Sequence, residues 1–394
     1  MVMTDSTRAD SGPIPRTGGA GGKARGHTTS AFGPLAAAVR QAGLLERRTG
    51  WYVRLGAVIL LGFAAAATGV VLLSHSWWAL LLAIPAGLLS AQVGFFGHDA
   101  GHQQICTSRT AHNRLGLIAG DLVGGLSYGW WQDKHLRHHA NPNNEDLDPD
   151  VGEGLISWSE RQAARKTGVG RVFARHQAIL FLPLVTLEGF NLLYASIASL
   201  KRLTRRERTI EISLLILHYG VYLGFLFTFL SPGQAGLFIL IHKLIFGFNL
   251  GMSFAPNHKG MAMPEPGVRL DHLTKQVLTS RDVTGGWWVD VMLGGLNHQI
   301  EHHLFPNMPR PTLKKSKPLI GTYIRSASLP YRECGVLESY GECLAYLHRV
   351  GRAEETGVAL HAAPTPAFAP AATPTTAARL ERPAPKVATG TMTG

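Results

Sequence analysis

The sequence predicts an all-α integral membrane protein in which two transmembrane helical hairpins carry interfacial helices and a histidine-rich cap. Three observations support this fold class. Four apolar runs are each long enough to cross a bilayer, the short loop inside each pair of runs lacks Lys and Arg, and three histidine clusters lie outside the runs. The charge pattern places all three clusters on one side of the membrane, so they can meet at one site.

The four predicted spans contain most of the long apolar stretches of a chain that is only 45% apolar and 16% charged. About 20 helical residues, each rising 1.5 Å, cross a hydrocarbon core of about 30 Å. The predicted spans cover residues 51–73, 77–97, 210–230 and 236–254. They form two hairpins within a membrane domain predicted over residues 48–350.

The segments that flank this domain have no core-forming pattern. Residues 1–47 are rich in Gly, Ser, Thr and Arg, which predicts a disordered basic arm with a short helix from about Ala36 to Leu45. The arm lacks the apolar run of a signal peptide. Residues 351–394 are rich in Ala, Pro and Thr and predict a disordered tail.

Basic residues predict the orientation of the hairpins. They are absent from the loops 74–76 and 231–234 and accumulate at the opposite ends of the spans, at Arg47, Arg48, Arg54, Lys201, Arg202, Arg205, Arg206 and Arg208. Cytoplasmic loops carry the excess of Lys and Arg. We therefore expect an integral cell-membrane protein with both termini and all histidine clusters in the cytoplasm.

Two more apolar stretches, residues 115–131 and 179–200, are interrupted by polar or helix-disturbing residues such as Asp121 and Pro183. Counting just one of them as a span would put the histidine clusters on opposite faces. We interpret both as helices that lie in the membrane interface, with a buried soluble-type helix as the alternative for the second.

Seven histidines are spaced so that each cluster lies on one side of a helix. They are His98 with His102, His135 with His138 and His139, and His302 with His303, which follow Gln299. Desolvated imidazoles packed together are unfavourable without a shared partner, and metal is that partner. Seven ligands overfill one ion and suit two adjacent ions. With only three scattered cysteines, the set favours iron, copper, nickel or zinc, of which iron and copper commonly perform oxygen chemistry.

The motifs H-x3-H at His98, H-x2-H-H at His135 and Q-x2-H-H at Gln299, placed around two hairpins, resemble the three histidine boxes of the membrane-bound fatty acid desaturases. The resemblance covers about residues 50–345. The glutamine that opens the third box and the continuation His303-Leu304-Phe305-Pro306 are most similar to the acyl-CoA and acyl-lipid enzymes of the front-end or linoleoyl type.

This resemblance implies a cytoplasmic di-iron cap that uses dioxygen and two electrons to introduce a cis double bond into an acyl chain. The implied iron ligands are His98, His102, His135, His138, His139, His302 and His303, with His258 at the position of a further family ligand. The protein would hold the irons, exclude water and fix the acyl chain.

The last ligand is ambiguous, because both His298 and Gln299 could face the irons. On a helix, Gln299 falls between His302 and His303 in projection, whereas His298 lies to one side. Chemistry favours His298, since an amide oxygen is a weaker ligand than imidazole. Both residues stay candidates, and we expect Gln299 to point inward.

Acidic side chains near the boxes are candidates to accept hydrogen bonds from the ligands, as carboxylates commonly do for metal-bound histidines. They are Asp99, Glu145, Asp146, Asp148, Asp150 and Glu301. For the acidic run in residues 143–150, a solvated loop is an equally good interpretation.

The resemblance also implies partners. The substrate would be a fatty acyl-CoA or a membrane lipid. Electrons would come from a separate ferredoxin or similar carrier with its reductase. A separate carrier is expected because the sequence contains no His-Pro-Gly-Gly haem signature, Cys cluster or dinucleotide motif. The net charge of +12 suits anionic lipid, an acidic redox partner or an acyl carrier, and no nucleic acid is expected.

Two rival functions accompany the desaturase hypothesis. A lipid hydroxylase or ketolase would use the same boxes and differ only in how the substrate is placed. A non-enzymatic membrane metal carrier would need ligands along a path at the bilayer midplane, whereas the predicted clusters lie outside the spans.

Overall fold

A computed structural model describes residues 31–265 and 267–353, and helices make up most of the regular structure of these residues. Most of the predicted basic arm (residues 1–30) and of the predicted tail (residues 354–394) lies outside the described residues. The domain limits at residues 48 and 350 therefore stay predictions.

Among the described residues, four helices are long and apolar enough to cross a membrane, as the hydropathy pattern predicts. They are α2 (Thr49–Leu72), the unit Trp77–Gly101 made of a 3₁₀ turn (Trp77–Leu82) and α3 (Ala83–Gly101), α9 (Arg205–Phe229) and α10 (Pro232–His258). With 27 residues, α10 is about 40 Å long, so its last turns extend beyond a hydrocarbon core of about 30 Å. The protein is thus a helical membrane protein with four candidate spans.

Helices α3 and α10 form the centre of the bundle, with α2 and α9 outside them. A Cβ at Gly87 of α3 would lie only 2.8 Å from Ile245 Cβ and 2.9 Å from the carbonyl oxygen of His242 on α10. Only glycine lets the two backbones approach so closely, as is usual where membrane helices pack. This contact holds together the two helices that carry His98, in the last turn of α3, and His258, at the end of α10.

The two predicted interfacial segments are irregular helices. The first contains the end of α4 (Arg109–Leu117), a π-helical turn (Ile118–Val123) and the start of α5 (Tyr128–Ala140). The second lies in α7 (Gly168–Thr186) and α8 (Glu188–Ser199), which meet at an angle of 72°. Length and composition would allow this bent pair to be a broken fifth span, so the interfacial position of these helices stays a prediction.

The cap is built from short helices that follow α10, together with an N-terminal helix. They are α11 (His272–Leu278), α12 (Trp287–Met292), α13 (Gln299–Leu304), α14 (Arg310–Ser326) and α1 (Phe32–Gln41). Helix α1 lies inside the predicted disordered arm and begins four residues before the expected short helix. Its Leu35 and Val39 pack into the core of α11, α13 and α14.

After α14, the chain packs beside the segment that precedes the third histidine box. Strand β1 (Asp282–Thr284) pairs in parallel with β2 (Glu333–Gly335), a short ladder that the sequence pattern did not predict. Helix α15 (Val336–Gly351) then packs on α7 and on the end of α10, beside α6 (Glu160–Ala164). Ser339 of α15 donates a hydrogen bond to the carbonyl oxygen of Pro256 at 2.8 Å, and Glu342 pairs with the buried Arg281.

Candidate metal centre

Eight histidines converge at one end of the bundle. His98 lies in the last turn of α3 and His102 directly follows it, while His258 is the last residue of α10. The other five are His135, His138 and His139 on α5 and His302 and His303 on α13. Four elements that are distant in sequence therefore bring every predicted histidine ligand except His298 to one place.

Five of these histidines form a first group whose candidate ligand atoms all lie within 4.8 Å of one another: His98, His102, His135, His139 and His302. The Nε2 atoms of His135 and His102 are 2.8 Å apart, and those of His139 and His135 are 3.0 Å apart. His302 Nε2 lies 3.2 Å from His139 Nε2. The group is compact enough to surround a single ion.

The other three histidines, His138, His258 and His303, form an adjacent second group. Their ring centroids are 4.7 to 5.1 Å apart, and the side-chain nitrogen of Gln299 lies 2.8 Å from His258 Nε2. A half-turn of the Gln299 amide about its terminal bond brings its oxygen to this position, where it can face the group as an acceptor. The rings of His139 and His303 stack at 4.2 Å and join the two groups.

The state of the buried imidazoles fits a pair of metal ions. Burial holds the pKa values of His102, His135, His139, His302 and His303 well below the usual range, so these rings are neutral and can offer a lone pair. His98 Nε2 and His303 Nε2 are buried without a hydrogen-bond partner. Unsatisfied buried nitrogens are costly, and a metal ion in each of the two groups would satisfy them.

Outer hydrogen bonds orient four of the rings. The Nδ1 atom of His98 donates to Asp99 at 3.1 Å and that of His138 donates to Asp148 at 3.0 Å. His258 Nδ1 donates to the carbonyl oxygen of Thr279, and His303 Nδ1 donates to Gln276 Oε1, each at 2.9 Å. Each bond leaves Nε2 free to face the centre, which is the usual support of a metal-bound histidine.

The structure separates the two candidates that sequence geometry and ligand chemistry left open. Helix α13 begins at Gln299, so His298 precedes the regular helix and its ring turns away from the cluster. His298 Nε2 lies 3.3 Å from Asp290, in a separate buried group with Asp282 and Glu301. Gln299 faces the second histidine group, although its role as a ligand stays a prediction.

Three of the predicted acidic partners lie elsewhere, and for them the expectation needs correction. Glu145 and Asp146 pair with Arg161 at 2.9 and 2.5 Å, since these guanidinium and carboxylate groups meet at the surface. Glu301 accepts a hydrogen bond from Tyr331 at 2.7 Å on the face of α13 opposite the histidines. Asp150 lies 3.4 Å from His138 and also pairs with Lys134.

Sequence reasoning missed Arg310, whose Nε and terminal nitrogen lie 2.7 and 2.6 Å from Asp99 Oδ2. Both side chains are buried, and Asp99 in turn orients His98. Arg310 follows shortly after the third histidine box, but nothing in the sequence there indicated a partner 211 positions earlier in the chain. Arg310 thus links the chain after the third box to the first box.

A second missed feature holds the start of α5. Asp121 accepts a hydrogen bond from the Tyr128 amide at 3.2 Å, and Glu211 of α9 accepts one from the Gly129 amide at 3.0 Å. Burial, with the nearby Glu211 carboxylate, raises the pKa of Asp121 to about 8. Carboxyl groups are favoured at a helix N-terminus, so this pair fixes the helix that carries the second box.

A cavity of about 400 Å³ adjoins both histidine groups. Apolar side chains from several helices form most of its wall, among them Val93, Leu126, Phe181, Leu192, Leu250 and Phe254. Its histidine end includes His98, His135, His138, His258 and His302, and Lys134, Asp150 and Glu188 form a polar part of the lining. The cavity can hold a long apolar molecule against the candidate ligands.

We expect the variant Asp148→Asn to bind iron about 10- to 100-fold more weakly than the parent. Asp148 Oδ2 accepts from both His138 Nδ1 and the Asn143 amide, while Oδ1 accepts from the Asp150 amide. An asparagine cannot accept at both positions. Iron titration of the apoprotein measures the loss, and Asp146→Asn is the matched control because Asp146 is exposed and pairs with Arg161 at the surface. Equal iron affinity in both variants would contradict the assignment.

Comparison with known proteins agrees with this geometry. The family model described as fatty acid desaturase matches residues 75–335. An acyl-lipid (9-3)-desaturase of Physcomitrium patens is 31% identical over 66% of this chain and 51% of its own length. A Δ8-fatty-acid desaturase of Helianthus annuus is 26% identical over 75% of this chain and 68% of its own.

A Δ8-(E)-sphingolipid desaturase of Komagataella phaffii is 28% identical over 69% of this chain and 54% of its own length. The chain thus spans between about half and two thirds of the length of these relatives. The matched region contains all three histidine boxes and His258. The chain belongs to the fatty acid desaturase family.

Proposed function

We propose that this protein is a membrane fatty acid desaturase that introduces a cis double bond into an acyl chain at a histidine-bound di-iron centre. The observation that carries the proposal is the position of two adjacent buried histidine groups at the wall of one apolar cavity, in a chain of this family. Dioxygen and two electrons would be consumed in the reaction.

The first group, with His98, His102, His135, His139 and His302, would hold one iron, and His138, His258 and His303 with Gln299 would hold the other. When bound, the irons would supply the dioxygen activation that breaking an unactivated C–H bond requires. Asp99, Asp148, Gln276 and the Thr279 carbonyl group would keep the ligand nitrogens directed at the ions.

The cavity wall would bind and orient the substrate. Its apolar side chains exclude water from the histidines and hold the acyl chain against them, so that particular methylene groups lie next to the metal ligands. The position of the new double bond would then follow from how far the chain enters. The polar lining at Lys134, Asp150 and Glu188 would contact the more polar part of the substrate.

The relatives favour a lipid-linked substrate, because two of those compared act on acyl-lipids or sphingolipids by name. A fatty acyl-CoA is the other candidate. Electrons would come from a separate ferredoxin-type carrier with its reductase. The metal-carrier hypothesis loses support, since the histidine groups lie at the ends of α3 and α10 rather than along a path through the bundle.

The decisive experiment is lipid analysis of cells that express the protein. Gas chromatography with mass spectrometry should reveal new unsaturated acyl chains that are absent from cells expressing a His302→Ala variant at equal level. Hydroxylated or keto products without new unsaturation would show that the protein is a lipid hydroxylase or ketolase instead. Unchanged lipids together with protein-dependent metal uptake would favour a carrier.

We also propose that both termini and the histidine groups face the cytoplasm, in accord with the basic residues near α2 and α9. A cysteine placed at Ser76 or Gly233 should react from outside intact cells with an impermeant thiol reagent, and one at Leu155 should not. Gly233, in the first turn of α10, is chosen because the next residue, Gln234, is buried and donates a hydrogen bond to the Ser76 carbonyl oxygen. The reverse labelling pattern would invert the topology. Each variant would carry Cys106→Ser, since the other two cysteines are buried.

A further inference from the structure

The short helix α12, which precedes the third histidine box, presents two tryptophans to the outside of the molecule. Trp287 is 77% exposed, Trp288 51% and Val291 49%, whereas Val289 between them is fully buried. The helix therefore has one side in the protein and an apolar side that nothing covers in the described part of the chain. Exposed apolar patches of this kind mark interaction surfaces.

The buried side of α12 rests on the two central spans. Gln92 of α3 donates a hydrogen bond to the carbonyl oxygen of Val291 at 2.9 Å. On α10, Asn249 and Ser253 donate to the carbonyl oxygen of Met292 at 3.3 and 3.4 Å. The helix is thus attached to segments that belong to the candidate spans and not only to the cap.

The positions of these contacts along the spans give the depth of α12. From Trp77 to Gln92, the chain makes about six steps at the 3₁₀ rise of about 2.0 Å and about nine steps at the α-helical rise of about 1.5 Å. Together they rise about 25 Å. From Pro232 to Asn249, the rise along α10 is about 26 Å. If the hydrocarbon core of about 30 Å begins at the exposed Trp77 and Trp78, α12 meets the spans about 5 Å inside its opposite edge.

The exposed side of α12 also continues the apolar exterior of the bundle. Phe248, next to Asn249 on α10, is itself exposed, and no charged residue occurs in the exposed run from Thr284 to Trp288. The one charged residue of the helix, Asp290, turns to the other side and pairs with Lys314 at 2.9 Å. This division of apolar and charged sides suits a helix at a membrane surface.

We propose that α12 lies in the interfacial layer of the bilayer on the histidine side, with Trp287 and Trp288 among the lipid glycerol groups and upper acyl segments. Tryptophan favours this layer because its ring is apolar and its N–H is polar. Asp290 accepts a hydrogen bond from Asn297 at 2.9 Å, just before α13. The anchor therefore sets the depth of His302 and His303 relative to the lipid. This inference rests on the candidate spans and not on the proposed reaction.

The test uses the full chain reconstituted in phosphatidylcholine nanodiscs, with an environment-sensitive fluorophore on Trp287→Cys in a Cys106→Ser background. Quenchers on the upper acyl segment of the lipid should reduce the emission more than quenchers near the chain end. Leu61→Cys, in the exposed middle of α2, should give the opposite order. Leu337→Cys, an exposed apolar site on α15, should respond only to an aqueous quencher.

Emission from position 287 that responds only to the aqueous quencher would overturn the proposal. Cross-linking between two copies through Cys at position 287, with no lipid quenching, would assign the surface to a dimer and overturn it as well. Val291→Cys, on the same exposed side, replaces Trp287→Cys if loss of the indole ring prevents folding.

Discussion

Replacing His302 with alanine should reduce desaturation to below about 1% of the parent level and remove iron from the protein. Loss of an outer hydrogen-bond partner commonly weakens metal binding about 10- to 100-fold, and loss of a ligand should exceed that. His302 is buried among His98, His102 and His139 in the first group, with ring centroids 4.7 to 4.9 Å from theirs. Iron per chain, measured on protein purified at equal yield, is the primary measurement.

His298→Ala is the matched control, because His298 is also a buried histidine on the same segment but lies beside Asp290 rather than the other imidazoles. It should keep most of its iron. Gln299→Ala should lose iron from the second group, and Gln299→His should retain it, since imidazole can take the same direction. Iron loss confined to His298→Ala would show that the ligand assignment at this end of α13 is wrong.

The variant Arg310→Met should destabilise the protein by about 3–5 kcal/mol, because it leaves the buried Asp99 carboxylate without its countercharge. It should also weaken iron binding through His98, which Asp99 orients. Thermal unfolding in detergent and iron content together measure the two effects.

The double variant Asp99→Ala, Arg310→Met separates charge burial from ligand orientation. Removing both charges should recover most of the lost stability, since no unpaired buried charge remains. Iron affinity should stay about 10- to 100-fold low, since His98 lacks its hydrogen-bond acceptor. Full recovery of iron binding in the double variant would mean that the pair serves stability alone.

The spans and the seven box histidines could be predicted because their signals are local. A span is long enough to be recognised by its own apolar run, and the spacing within each box places its rings on one side of a helix. The same spacing puts Gln299 on the side of His302 and His303, and in the structure it faces the second histidine group. It cannot give the direction of His298, because α13 begins at Gln299 and His298 precedes the regular helix.

Long-range contacts could not be predicted from one sequence. The division of the histidines into two groups depends on how α3, α5, α10 and α13 meet, and the partner of Asp99 lies far along the chain at Arg310. The acidic run at residues 143–150 shows the same limit. Asp148 turns inward to His138 and Asp146 turns outward to Arg161, although the two are neighbours in the same loop.

The contact of α15 with the end of α10 has a consequence for the order in which the protein matures. All box histidines have been synthesised once residue 303 is added. Arg281 donates a hydrogen bond to the Pro256 carbonyl oxygen, beside His258, at 2.6 Å. Its carboxylate partner, Glu342, is synthesised later. A nascent chain that ends before α15 therefore lacks the carboxylate that pairs with Arg281. The segment beside His258 thus receives this partner only from residues beyond 335, where the family match ends.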